Sequence, residues 1–120
     1  MTETDVDRLL EGVSVHDRPD LLARLCDDAE IADEVMGVFF EDVPKQLEIL
    51  FQSIEMADTA LAKRQAHTIK GASGNVAANA MRVVAYEIEK SAGVGDLIEA
   101  RRLSERLAAE FERLKASLGK

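Results

Sequence analysis

Apolar residues recur every three or four positions along most of this chain, and no stretch alternates with the period of two that a half-buried strand needs. A short helix is predicted from about Glu3 to Gly12, then a polar turn over Ser14 to Asp17. Asp17 can accept from the first free amides of a second helix with apolar face Leu21, Leu22 and Leu25; Pro19 is tolerated in its first turn, where an amide has no partner to lose. The longest pattern runs from about Ile31 to Met56, through Met36, Phe39, Phe40, Val43, Leu47, Leu50 and Ile54. Pro44 should bend that helix, because it cannot donate to the carbonyl of Phe40. Asp58 is the expected cap of a helix reaching about Gly74 or Val76, and Asn79 of the next, whose stripe is Met81, Val84, Ala85, Ile88 and Ala92. Gly93 and Gly95 interrupt the pattern. Asp96 with Glu99 then reads as a reciprocal capping box opening a helix to about Leu118, with seam Leu97, Ala100, Leu103, Leu107, Phe111, Leu114 and Leu118.

Four substantial amphipathic helices joined by short turns predict an all-α fold, an antiparallel up-and-down four-helix bundle with short additional N-terminal helices. A chain of 120 residues suffices for one core and is too short for two, so residues 1–120 are expected to form a single domain. Aromatics make up only 4% of residues, so the core should be aliphatic, with Met36, Met56 and Met81 as fillers. The single cysteine, Cys26, excludes an intrachain disulfide, is expected as a small buried hydrophobe, and fits a reducing, cytoplasmic setting. No apolar run approaches the roughly 18 residues of a membrane span. A formal charge of −8 argues against nucleic acid as a partner. His16 lies in the Ser14 to Asp17 turn with no matching ligands and is expected at the surface.

Charge is unevenly spread. No carboxylate occurs from Thr59 to Tyr86, where proportion would put about five; the charged residues there are Lys63, Arg64, Lys70 and Arg82. His67 lies inside this window. At about 100° per residue, Lys63, Arg64, Lys70, Gly71 and Gly74 fall within about 60° of it, while Ala62, Ala66, Ile69, Ala72, Ser73 and Val76 fall on the other side. The imidazole should therefore face outward among cations and residues without side chains. Glycine inside a helix costs about 1 kcal/mol relative to alanine, so Gly71 on the histidine's face suggests an approach lane for another protein. Gly74 shares that face, with a helix C-cap as the competing explanation. Such a window suits a dianionic phosphoryl group and an acidic partner surface.

The run Ala66 to Val76 resembles the signature of histidine-containing phosphotransfer (HPt) domains: His67, Lys70 and Gly71 match an HxxKG core, and Ala66, Ala72, Ser73 and Val76 its small and aliphatic flanks. Phe39 with Pro44 five residues later, and Ile88, Glu89 and Lys90 leading to the Gly95-Asp96 turn, extend the similarity over roughly Val6 to Leu118. Ala77 departs from it, standing where the family often has glycine. The resemblance implies a phosphorelay intermediate whose partners are response-regulator receiver domains and a hybrid sensor histidine kinase. It implies that the receiver brings the aspartate and Mg²⁺, while this chain binds no cofactor or metal.

The residues suit that chemistry. A neutral imidazole near pH 7 offers a nucleophilic nitrogen, and Lys70, one turn beyond His67 and expected to be exposed, can supply charge to phosphoryl oxygens. Lys63 and Arg64 can assist there or steer the partner. No phosphate-binding Gly-rich loop and no acidic cluster near His67 is evident, so the chain is expected to be a carrier without its own ATP site, and a monomer. The alternative is a receiver-docking module that is never phosphorylated. Bundle metallohydrolase chemistry lacks an ExxH ligand pair, and Ser73 lacks the elbow and base of a serine hydrolase.

Overall fold

The apolar periodicity folds into helices throughout the computed structural model, which describes residues 3–120. Among the described residues there are six helices and no strand: α1 (Glu3–Leu9), α2 (Arg18–Arg24), α3 (Ala29–Glu55), α4 (Thr59–Asn75), α5 (Asn79–Gly93) and α6 (Leu97–Ser117). The four longer helices close a ring in which α3 packs on α4 and α6, and α5 packs on the same two. Their stripes meet in one aliphatic core containing Leu50, Ile69, Val84, Ile88, Leu103, Leu107 and Leu114, with Phe39, Phe40 and Phe111 in mutual contact on one side of it. No helix among the described residues is long and apolar enough to cross a membrane.

One three-residue device makes each reversal in the ring. A C-cap is followed by a left-handed residue and then by the N-cap of the next helix: Met56-Ala57-Asp58, Val76-Ala77-Ala78 and Val94-Gly95-Asp96. The third residue of each triplet donates its amide back to a serine carbonyl, Asp58 to Ser53, Ala78 to Ser73 and Asp96 to Ser91, each at 2.9 Å. This satisfies carbonyls that a helix end leaves open. Asp58 and Asp96 thus finish one helix and start another, since their carboxylates accept from Leu61 N (3.0 Å) and Glu99 N (3.1 Å). Asp96 gives its own amide to Ser91, and Glu99 pairs with Arg102 at 2.9 Å, so the expected reciprocal half of the capping box is replaced.

The α4–α5 turn is the exception. Its N-cap is Ala78 and not Asn79, so no side chain caps α5; Asn79 instead donates to Ser14 Oγ at 2.9 Å. The N-terminal segment supplies what the turn lacks. Asp17 N donates to Ala77 O (3.0 Å), Ala80 N to Ser14 O (3.0 Å), Arg24 Nη1 to Gly74 O (2.7 Å), and His16 Nε2 lies 2.9 Å from Val76 O. His16 is accordingly half-buried and structural, where the sequence suggested a surface residue. Val6 of α1 joins the core, and Asp7 pairs with Arg106 of α6 at 2.7 Å.

Other boundaries move for local reasons. α1 ends at Leu9 and leaves Leu10 to Gly12 as a turn closed at Gly12 (φ 72°). α3 starts two residues before the periodic pattern because Asp28 caps it through Ile31 N, and it continues through Pro44, which lies on the exposed side. Cys26 is exposed in a left-handed turn after α2 (φ 54°), not buried. Met56 is a C-cap with 73% of its surface exposed, not a core filler.

The left-handed positions are testable. Alanine there suffers a Cβ clash of about 1–2 kcal/mol that glycine avoids, partly offset by glycine's freedom in the unfolded chain. Ala57 is exposed at φ 55°, and Gly95 is exposed at φ 78° with open space around it. Ala57→Gly should raise unfolding stability by about 0.5–1 kcal/mol and Gly95→Ala lower it by about 1 kcal/mol, read from urea midpoints at unchanged m.

Candidate functional site

Helix α4 is amphipathic with an alanine-rich inner face. Ala62, Ala66, Ile69 and Ser73 are buried, so the opposite face, at His67, projects into solvent and leaves the His67 side chain 64% exposed. Lys63, Arg64 and Gly71 share that exposed face. Lys70 lies lower than expected, only 27% exposed, because it leans toward α5. Ser73 is fully buried, out of reach of an external substrate.

Helix α5 introduces a residue that no reading of α4 alone contains. Glu89 Oε2 lies 2.8 Å from His67 Nδ1, and its Oε1 accepts from Lys70 Nζ at 2.7 Å. The window that is free of carboxylates in sequence therefore holds one at its centre in space. A signal exists in the sequence: Glu89 directly follows Ile88 of the α5 stripe, so it borders the α4–α5 seam. Only the register of the two helices reveals which α4 residues it meets.

The carboxylate dictates the protonation pattern. An ionised carboxylate only accepts, so His67 must carry a proton on Nδ1, and in the neutral ring this leaves the lone pair on Nε2. Burial of Glu89, whose side chain is 16% exposed, pushes its carboxyl up, but hydrogen bonds from Lys70 and His67 and their charges outweigh this and hold it below the ordinary carboxylate range. The triad is thus a carboxylate kept ionised, an imidazole turned with Nε2 free, and an ammonium beside it.

The two flanks of the His67 ridge differ. Toward α3 runs a mostly apolar groove lined by Val38, Phe39, Val43, Ala72 and Val76, with Asp42 and Gln46 among its polar members. Toward α5 the surface is cationic: Lys70 and Lys90 both lie over the exposed Tyr86 ring, at 5.2 and 4.8 Å from its centroid, and Lys90 pairs with Glu87 at 2.9 Å. Gln65, on the α3 side, donates to Gln46.

The glycines separate. A Cβ on Gly71 would meet nothing within 4 Å, so internal packing does not demand glycine there. A Cβ on Gly74 would lie 3.3 Å from Arg82 Cδ. Gly74 is inside α4 and is not its left-handed terminus; that position belongs to Ala77, at φ 59°. The glycine frequent at Ala77 in the resembling family thus has a conformational reason, a left-handed φ that glycine adopts without strain.

A family model described as the Hpt domain matches residues 34–117, more than half of the chain. No curated protein matches it.

Two measurements probe this geometry. A carboxyl held low in the fold stabilises the native state above the unfolded value of about 4.3, and that contribution disappears as pH falls through the native value. The stability gap between wild type and Glu89→Gln should therefore be full at pH 7 and close as the pH falls below about 4; a gap independent of pH would contradict the ionised bridge. Gly71→Ala should raise stability by up to about 1 kcal/mol in urea unfolding, since it meets no neighbour.

Proposed function

We propose that this chain, which belongs to the Hpt domain family, receives a phosphoryl group on His67 Nε2 from the aspartyl phosphate of a receiver domain and passes it to another receiver. The Glu89 bridge carries this reading, because it leaves Nε2 as the free nucleophile on an exposed ring. The Nε2 lone pair attacks phosphorus, the N–P bond forms, the acyl O–P bond breaks and the aspartate leaves as carboxylate. The ring then carries a positive charge with its proton still on Nδ1, and Glu89 at 2.8 Å offsets it. Lys70, held beside the ring by the same carboxylate, supplies positive charge to the phosphoryl oxygens. The reverse sequence donates the group onward.

Gly71 acts in partner access. Arg64, exposed one turn before His67, and Gly74, at the far end of the same face, belong to the surface a partner covers. Mg²⁺ and the acidic residues that hold it come from the receiver, since Glu89 is already engaged by two nitrogen donors. A sensor histidine kinase spends the ATP upstream. The ring of α3 to α6 is read as an antiparallel up-and-down bundle: Lys63 near the start of α4 lies beside Gly93 at the end of α5, and Gly74 near the end of α4 beside Arg82 near the start of α5. The chain acts as a monomeric, single-domain cytoplasmic carrier.

Incubation with phosphorylated receiver domains should label wild type with an acid-labile, base-stable phosphoryl group and leave His67→Gln unlabelled. Persistent labelling of His67→Gln would overturn the assignment, and a stable complex with no labelling would make the chain a docking module instead. Lys70→Ala should slow single-turnover transfer by about 10-fold or more, the loss of one charge-assisted contact in the transition state, without abolishing it.

A further inference from the structure

Lys63 and Arg64 are adjacent in sequence and both exposed, yet α4 directs them to opposite flanks of His67. Lys63 lies on the α5 side, its stem running over Gly93: a Cβ there would meet Lys63 Cδ at 3.6 Å and Cε at 3.7 Å. At the other end of the same seam the Arg82 stem runs over Gly74. Lys70 and Tyr86 lie between them, the ring in contact with the ammonium groups of both Lys70 and Lys90. From the level of Lys63 to that of Gly74 the seam spans about 16 Å.

Charges along this row are unequally compensated. Glu89 engages Lys70 and Glu87 engages Lys90, while Lys63 and Arg82 form no ion pair among the described residues. A chain of net charge −8 therefore keeps two unpaired cations at the two ends of one seam. Each glycine leaves room for the stem of a cation to lie flat across the seam. The opposite flank, toward α3, carries Arg64 beside a mostly apolar groove that also holds Asp42 and Gln46, and has no comparable row of cations.

We propose that the α4–α5 seam is an electrostatic docking strip for an acidic surface of the phosphodonor receiver, with Lys63 and Arg82 as its poles and Tyr86 as its platform. This rests on the phosphotransfer reading and adds to it the chemistry of the partner. A protein that delivers phosphorus to Nε2 must cover both flanks of the ridge. Its apolar contact falls on the α3 side and its carboxylates on the α5 side, which fixes the orientation in which it lands. Lys63 and Arg82 steer; Lys70 does the chemistry. Cations of this kind raise the rate of productive encounter and are screened over about 10 Å at 0.1 M salt.

The test uses the full chain and, from a receiver panel, the phosphorylated receiver that labels wild type fastest. Lys63→Glu with Arg82→Glu should lower kcat/KM for phosphoryl acceptance by about 10–100-fold at low ionic strength, with the deficit shrinking to within about 3-fold at 0.5 M NaCl. The rate at saturating receiver should change by less than about 3-fold, because neither residue serves the reacting atoms. Arg8→Glu with Lys120→Glu alters net charge equally on exposed sites outside α4 and α5 and should leave kcat/KM within about 2-fold. Should the double reversal unfold the bundle, Lys63→Gln with Arg82→Gln gives the same split at smaller amplitude. Equal loss in both charge pairs, or no change in salt dependence, overturns the strip while phosphotransfer stands. Failure of every receiver to label wild type overturns the phosphotransfer reading itself, and the strip with it.

Discussion

The three residues Val76, Ala77 and Ala78 set the register between α4 and α5, and the geometry of the candidate site depends on that register. A left-handed residue at Ala77 turns the chain within the shortest span that still satisfies the end of α4, so α5 starts in fixed phase with α4. Phase then decides which side chains meet across the seam: Gly74 with Arg82, Lys70 with Tyr86, His67 with Glu89, Lys63 with Gly93. One inserted residue would rotate α5 by about 100° and separate every one of these pairs. The buried alanines of α4 contribute to the same end, since their small volume lets α5 approach closely enough for a carboxylate to reach two partners.

In the proposed transfer, that carboxylate reconciles two demands. A phosphoryl site needs positive charge, yet an unpaired lysine beside a histidine would repel the cationic ring formed on transfer. Glu89 meets Lys70 and His67 with separate oxygens, so the ring's developing charge and the ammonium share a counter-charge. The bridge also orders Lys70, a side chain that would otherwise lose considerable rotamer freedom on engaging a ligand.

Much of this was legible in the sequence, and the omissions have a common origin. Helix number, the outward face of His67 and the Asp58 and Asp96 caps follow from short-range periodicity and local hydrogen bonding, which a linear reading captures. Glu89 escaped a role because its significance is a distance between helices, although it stands beside a stripe residue in plain view. Cys26 and Met56 misled for the opposite reason. Both are hydrophobic by type, but each falls in a tight turn where the chain has no interior to offer them. His16 looked idle because its partner, the carbonyl of Val76, lies sixty residues away.

The missing cap on α5 bears on how portable this domain is. Two of the three reversals carry an aspartate that seals them from within, whereas the one between α4 and α5 is sealed from outside, by Ser14, His16, Asp17 and Arg24. All four precede residue 34, where the family match begins. Trimming the protein to its family boundaries would therefore unfasten the hinge between α4 and α5. The prologue of the chain belongs to the working part.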